Sequence, residues 1–214
     1  MTRKTAHPIS LLALLACCIP FIFSGCSSSH LASVWRDPSY NRGPLKSIVI
    51  ISISRDPIKR RLWEDAFVSE LVKYSVTATP SYALFPDSLP DTNQINDVID
   101  RNGYDGMLII SRLRTHTQVT TVEPSVTEIP VAVYNPWRKE YVTRYEEDVE
   151  PGYTDSTKIV RHRIEIWAAK ESSHMIWSGI CLTEDPVSSQ QVHDEAVGLI
   201  APLLSKSGLL PPKQ

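Results

Sequence analysis

Five histidines stand beyond residue 25: His30, His116, His162, His174 and His193. None pairs with another ligand-type residue at the close helical or hairpin spacing that a metal centre uses. His162 and Glu165 project to opposite faces of a strand, and His174 falls in an expected turn. Hydrolysis would need a serine, a histidine and a carboxylate brought together. No Gly-x-Ser-x-Gly elbow occurs, and Trp177-Ser178-Gly179 does not substitute for one. Nucleotide phosphates have no cradle, because neither Gly-x-Gly-x-x-Gly nor a Walker-type loop occurs. His193-Asp194-Glu195 lies on an expected helix, where consecutive residues face apart, and reads as solvated surface. Glu146-Glu147-Asp148 offers too few oxygens at loop spacing for calcium and reads as a solvated strand end. Cys181, inside the apolar run Trp177 to Leu182, reads as a buried structural thiol. No catalytic residue, metal site or cofactor is therefore expected. One segment does suggest chemistry, that of recognition. Tyr134-Asn135-Pro136-Trp137-Arg138-Lys139-Glu140-Tyr141 joins two expected strands, and Tyr, Trp and Arg are enriched where proteins bind proteins. Tyr134, Trp137, Arg138 and Tyr141 are the candidate partner-binding residues. The other reading is an ordinary hairpin whose aromatics fold back on the sheet.

Cys26 is the second focus. Arg3 and Lys4 open the chain, and Ile9 to Phe23 is then almost wholly apolar. That stretch is shorter than the roughly 20 residues a bilayer span requires, and Pro20 interrupts it. It has the form of a signal-peptide core, followed by the small residues Ser24 and Gly25 before Cys26. Phe23-Ser24-Gly25-Cys26 resembles the lipobox of bacterial lipoproteins, with Phe23 where Leu is more usual. The resemblance implies that the Cys26 thiol receives a diacylglyceryl group, that residues 1–25 are removed, and that the new amine is acylated. It also implies an outer-membrane destination in a Gram-negative host, because Ser27 rather than Asp follows the cysteine. Each buried methylene contributes about 0.8 kcal/mol, so several acyl chains hold a water-soluble body on a bilayer. An ordinary secretory signal with a chance cysteine, or an uncleaved anchor, are the other readings of these residues.

The full chain of 214 residues carries a net charge of −2. Removing the leader takes away Arg3 and Lys4 and no acid, which leaves −4. That balance argues against nucleic-acid binding, which needs a basic excess. Cys17 and Cys18 leave with the leader and Cys26 is modified, so Cys181 alone remains. No intramolecular disulfide can form, and the core must supply the stability.

The elements that position these groups follow from patterning. Residues 26–45 read as a lipidated N-terminus and tether, with Trp35 and Tyr40 against the domain surface. Residues 46–210 read as one α/β domain and 211–214 as a tail. Ser47 to Ser54 is a continuous β-branched run, the mark of a strand covered on both faces. Asp56-Pro57 opens a helix to about Tyr74, with apolar residues at helical spacing and Lys59, Arg60, Glu64 and Asp65 on the other faces. A short strand near Val76 to Thr79, a helix ending at Gly103 and a strand from Met107 to Leu113 follow. The order β-α-β-α-β implies parallel strands with helical crossovers. Thr115–Val122, Val126–Tyr134, Tyr141–Val149, Thr157–Ala168 and Met175–Thr183 then alternate as strands and predict an antiparallel extension of the same sheet. Ser189 to Ser205 closes the chain as an amphipathic helix containing Pro202. The expected class is α/β (α+β), a mixed sheet with helices packed on it.

Ser33-Val34-Trp35-Arg36-Asp37-Pro38, the strand leading to Asp56-Pro57 and Arg60-Arg61, and Trp177-Ser178-Gly179 are similar to a group of uncharacterised bacterial lipoproteins. The element order resembles periplasmic modules such as the N-terminal domain of TolB, a layout shared by penicillin-binding-protein activator and curli-secretion lipoproteins. Those proteins bind other envelope proteins and are not enzymes. The resemblance implies a non-catalytic, lipid-anchored protein that binds an envelope protein, or itself, through a sheet edge or the Tyr134 to Tyr141 hairpin. The alternative is a small envelope hydrolase built from distant Ser, His and Asp residues, with His116 or His162 beside both a serine and a carboxylate.

Overall fold

The computed structural model describes residues 29–169 and 173–214. Cys26 and the leader lie outside the described residues, as does most of the turn before His174. The fold is a mixed α+β arrangement built on a seven-stranded sheet.

The parallel half forms as the apolar runs predict. β2 (Ser47–Ile53) lies between β3 (Thr77–Pro80) and β4 (Gly106–Arg112), parallel to both. α1 (Pro57–Leu71) starts at Asp56, whose side chain accepts from the Ile58 and Lys59 N–H groups, and Pro57 sits where no N–H is needed. A 3-10 turn, Val72–Tyr74, prolongs it. A single helical turn, α2 (Ser81–Leu84), follows β3. α3 (Thr92–Asn102) begins with a reciprocal Asp91/Gln94 capping box and ends at Gly103 in the left-handed region.

Along β2 the side chains alternate between two cores. Ile48 and Ile50 join Trp63, Phe67 and Leu71 of α1. They also meet Val192, Ala196, Ile200 and Leu204 of α4 (Ser189–Lys206). Val49 and Ile51 pack with Ile99 of α3, Tyr104 and Met107. Helices thus cover both faces of β2, which explains a strand with no polar face.

Beyond β4 the pairing turns antiparallel. β8 (Tyr153–Ala168) pairs with β4 and then with β9 (His174–Glu184). Part of the segment expected as a tether instead adds an edge strand. β1 (Ser29–Arg36) pairs antiparallel with β9, with a bulge between Leu31 and Ser33. The reason is the open edge of β9, whose ladder groups need partners. Ser29 Oγ and Thr183 Oγ1 meet at 2.7 Å across the pair, and Tyr40 is buried in the core while Trp35 stays half exposed. The end of the chain is also held, since the Gln214 N–H donates to the Lys73 carbonyl.

Two further differences concern polar residues and the hairpin. Arg60 and Glu64, expected on solvated faces of α1, are buried. The Glu64 carboxylate is 0% exposed and accepts from the Ser52 N–H (2.9 Å), Ser81 Oγ (2.7 Å), the Tyr82 N–H (2.9 Å) and Arg60 Nε (3.2 Å). Arg60 donates onward to the Phe85 and Ser88 carbonyls and to Ser81 Oγ. This charge-assisted network fastens α1 to the end of β2 and to the proline-rich loop after α2. The expected extension of the sheet is only partly present. β5 (His116–Val122) pairs with the first half of β8, but β6 (Ser125–Asn135) and β7 (Glu140–Glu150), among the described residues, pair only with each other. The joint is Glu123-Pro124 opposite Pro151-Gly152. The two prolines lack the N–H groups a ladder requires. A side chain at Gly152 would come within 2.7 Å of Pro124.

Candidate functional site

β6 and β7 form a ribbon of eleven register pairs, from Ser125 opposite Glu150 to Asn135 opposite Glu140. At about 3.3 Å per residue each strand runs on the order of 36 Å. No residue of either strand is buried. At the tip, Asn135 Oδ1 accepts from the N–H groups of Trp137 (3.0 Å) and Arg138 (3.3 Å), an Asx turn that Pro136 stiffens. Lys139 takes the left-handed conformation, with φ 57°, that returns the chain into β7.

This turn brings together all four residues singled out by the sequence. Tyr134 and Tyr141 are a register pair, ring centroids 5.3 Å apart and inclined at 60°. Trp137 caps the turn and is 94% exposed. Arg138 approaches Glu140 at 3.8 Å, an exposed contact worth little. The aromatics do not fold back on the main sheet.

Side-chain alternation extends the site beyond those residues. Val126, Pro130, Ala132 and Tyr134 share one ribbon face with Tyr141, Tyr145 and Val149. Tyr145 was missed, although Tyr141, Thr143 and Tyr145 alternate in the sequence. Glu128 and Glu147 are directly opposite on this face, a like-charge pair that opposes closure of the ribbon. Glu146, Glu147 and Asp148 are exposed on β7. Among the described residues, no group of three His, Cys, Asp or Glu side chains could hold a metal ion.

The histidines divide into two sets. His30 and His116 are exposed, and His174 lies 3.7 Å from Asp37. His162 and His193 are buried, at 6% and 3% exposure. They flank Trp63, with ring centroids 4.6 Å and 4.5 Å from the indole. His193 was expected on a solvated face. It lies instead on the buried stripe of α4 with Ala196, Val197 and Ile200, and its place one turn before Val197 was the available signal. Burial, with Arg112 and His193 adding to it, pushes His162 down to about 4. Burial also lowers His193, with Asp194 opposing. No carboxylate is bonded to His162 among the described residues. Cys181 is buried, and its thiol is pushed up to about 11 by burial first and Glu195 second. That places it with inert structural thiols.

No helix among the described residues is long and apolar enough to cross a membrane. No protein-family model matches the chain, and no curated protein matches it. Among solved structures, it is similar to a point variant of the PelC dodecamer from Paraburkholderia phytofirmans. Identity is 11% and the TM-score 0.46, over 86% of this chain and 99% of that one. A second PelC dodecamer structure from the same organism gives 12% and 0.44, over 85% and 98%. A PDZ domain protein from Parabacteroides distasonis gives 14% and 0.36, over 83% of this chain and 35% of that one. Each likeness is below the level that establishes a common fold.

Proposed function

We propose that this chain is a lipid-anchored envelope protein that works by binding, and that the β6–β7 ribbon docks a second envelope protein. The observation that carries this reading is the ribbon. Two-stranded ribbons are marginal in water on their own, and this one leaves Tyr134, Trp137, Tyr141 and Tyr145 exposed, with no packing partner beyond itself among the described residues. Six acids (Glu128, Glu140, Glu146, Glu147, Asp148, Glu150) outnumber three bases (Arg138, Lys139, Arg144) along its two strands and turn. The complementary surface is therefore an aromatic-accepting groove with a basic rim, or a sheet edge that takes on β7 as an added strand. The Cys26 motif supplies the anchor in this reading, and lipid attachment would concentrate the ribbon at the membrane where its partner resides.

A photocrosslinking residue placed at position 137 tests the docking surface, with one at Lys206 on the body as the control. The expected adduct is one envelope protein at position 137, absent at 206 and lost when Tyr134 and Tyr141 are both changed to Ala. An adduct with a second copy of this chain, or equal labelling from both positions, overturns it. The anchor is tested separately. A fatty-acid analogue should label the wild-type chain and fail to label Cys26→Ala.

A further inference from the structure

We propose that the cleft between the carboxyl ends of β2 and β4 and the start of α4 binds a small oxyanion-bearing ligand, a carboxylate or phosphate on a body no larger than a monosaccharide. The cleft measures about 290 Å³ and is distinct from the ribbon, so it stands or falls independently of the docking reading. Its position is the first argument. Open α/β sheets place ligands outside the carboxyl ends of their parallel strands, and Ser52 to Ser54 and Arg112 occupy those ends here.

Charge is the second argument. Lys59, Arg112 and Lys158 line the cleft, and no acidic side chain does among the described residues. Lys59 shares its charge with Asp56 at 3.2 Å on the rim. Arg112 donates to Thr115 Oγ1, and neither its guanidinium nor the Lys158 ammonium has a carboxylate partner among the described residues. Asp185 accepts from the backbone N–H of Lys158. α4 starts at the cleft with Ser188 as cap and Ser189 as first residue. The N–H groups of a first helical turn lack intrahelical acceptors and favour an anion.

The third argument is a polar atom without a partner. His193 lines the cleft, is 3% exposed, and its Nδ1 is buried with no hydrogen bond among the described residues. That nitrogen is closed to solvent in the free protein, so a ligand engages it only if the imidazole turns towards the cleft, which would relieve the cost of leaving it unpaired. His162 lines the same wall, and both imidazoles pack against Trp63. Two imidazoles thus share the cleft wall with three cationic side chains. The volume limits the ligand to a compact one, at the lower end of small-molecule sites.

The test uses the full chain in detergent, titrated with inorganic phosphate, glucose 6-phosphate, glucuronate and uncharged glucose. Thermal stabilisation and the imidazole NMR signals of His162 and His193 are followed together. The expected result is saturable stabilisation by at least one charged probe, with both imidazoles shifting and glucose inert. Response to glucuronate alone identifies a carboxylated sugar. Response to phosphate and glucose 6-phosphate identifies a phosphate ester. Arg112→Gln with Lys158→Gln, both exposed in the free protein, should weaken binding at least about tenfold while leaving the unliganded melting temperature unchanged. No saturable response to any charged probe overturns the site. So does glucose binding as well as the anions, or affinity that survives the double substitution.

Discussion

The body of this protein and its ribbon are made of similar strands with opposite surroundings. β2 and β6 are both rich in β-branched residues. β2 is covered by α1 and α4 on one face and α3 on the other, and only its last residue, Ile53, is exposed. Among the described residues β6 has one partner strand and no helix, and none of its own residues is buried. The contrast teaches that β propensity selects an extended backbone but does not say what will cover it. In the body, stability is cooperative burial. In the ribbon it is a local ladder with exposed aromatic pairs, so the ribbon should open at lower free energy than the body. Single changes can widen or erase that difference.

The largest effect belongs to the Glu64 network. Glu64→Ala leaves the Arg60 guanidinium buried without its carboxylate and strips acceptors from the Ser52 and Tyr82 N–H groups. Breaking such a buried pair costs about 3–5 kcal/mol. Urea denaturation should show that loss in the body. A loss below about 1 kcal/mol would mean that water replaces the carboxylate and that the network holds little.

Acid should separate the two regions next. His162 falls from an ordinary 6.5 to about 4 in the folded chain, through burial first and then Arg112 and His193. The unfolded chain therefore binds the proton more readily. Stability is unaffected above about pH 6.5 and declines as pH falls towards 4. For this group the decline totals about 3 kcal/mol, and His193 adds in the same direction. Denaturation midpoints measured across that window should fall in wild type and fall less in His162→Gln. At any one pH, hydrogen exchange in the ribbon should be the same in wild type and His162→Gln, since among the described residues neither histidine touches it.

Gly179→Ala ranks third. The buried Trp177 ring lies over Gly179, and an added methyl runs into the indole. Overpacking of this kind costs about 1–3 kcal/mol. The near-ultraviolet signal of Trp177 should change with it. An unchanged signal and stability would show that the ring has room to retreat.

What the sequence made legible follows the same division. Covered elements carried strong signals: the apolar runs of β2 and β4, the Asp56-Pro57 start and Gly103. The pairing of β8 with β9 was also readable from alternation and the intervening turn. β1 was not, because a half-exposed edge strand looks like a polar tether until its partner edge is known. Arg60 and Glu64 four apart on a helix read the same whether solvated or buried, and only the loop that closes over them decides. The detachment of β6 and β7 was written in Pro124 and Pro151, but as a break in a ladder whose partner was unknown. The ribbon tip was legible because one contiguous segment builds it. The cleft was not, because β2, α1, β4, β8 and α4 each contribute a part of its wall.

Trp137→Ala has the smallest effect on stability and the most informative one on function. The indole is 94% exposed, so its removal deletes almost no buried area, and the change in folding free energy should stay within about 0.5 kcal/mol. Tyr134 and Tyr141 still pair behind it and keep the turn in register. If the ribbon docks a partner, that same substitution should cost about 2 kcal/mol or more of binding, because an aromatic anchor loses its pocket. A docking residue therefore shows a large binding loss beside an unmoved melting temperature, whereas a structural residue shows both or neither. Measuring the two on one variant tells whether the exposed ribbon is a surface kept open for a partner or a hairpin that tolerates water.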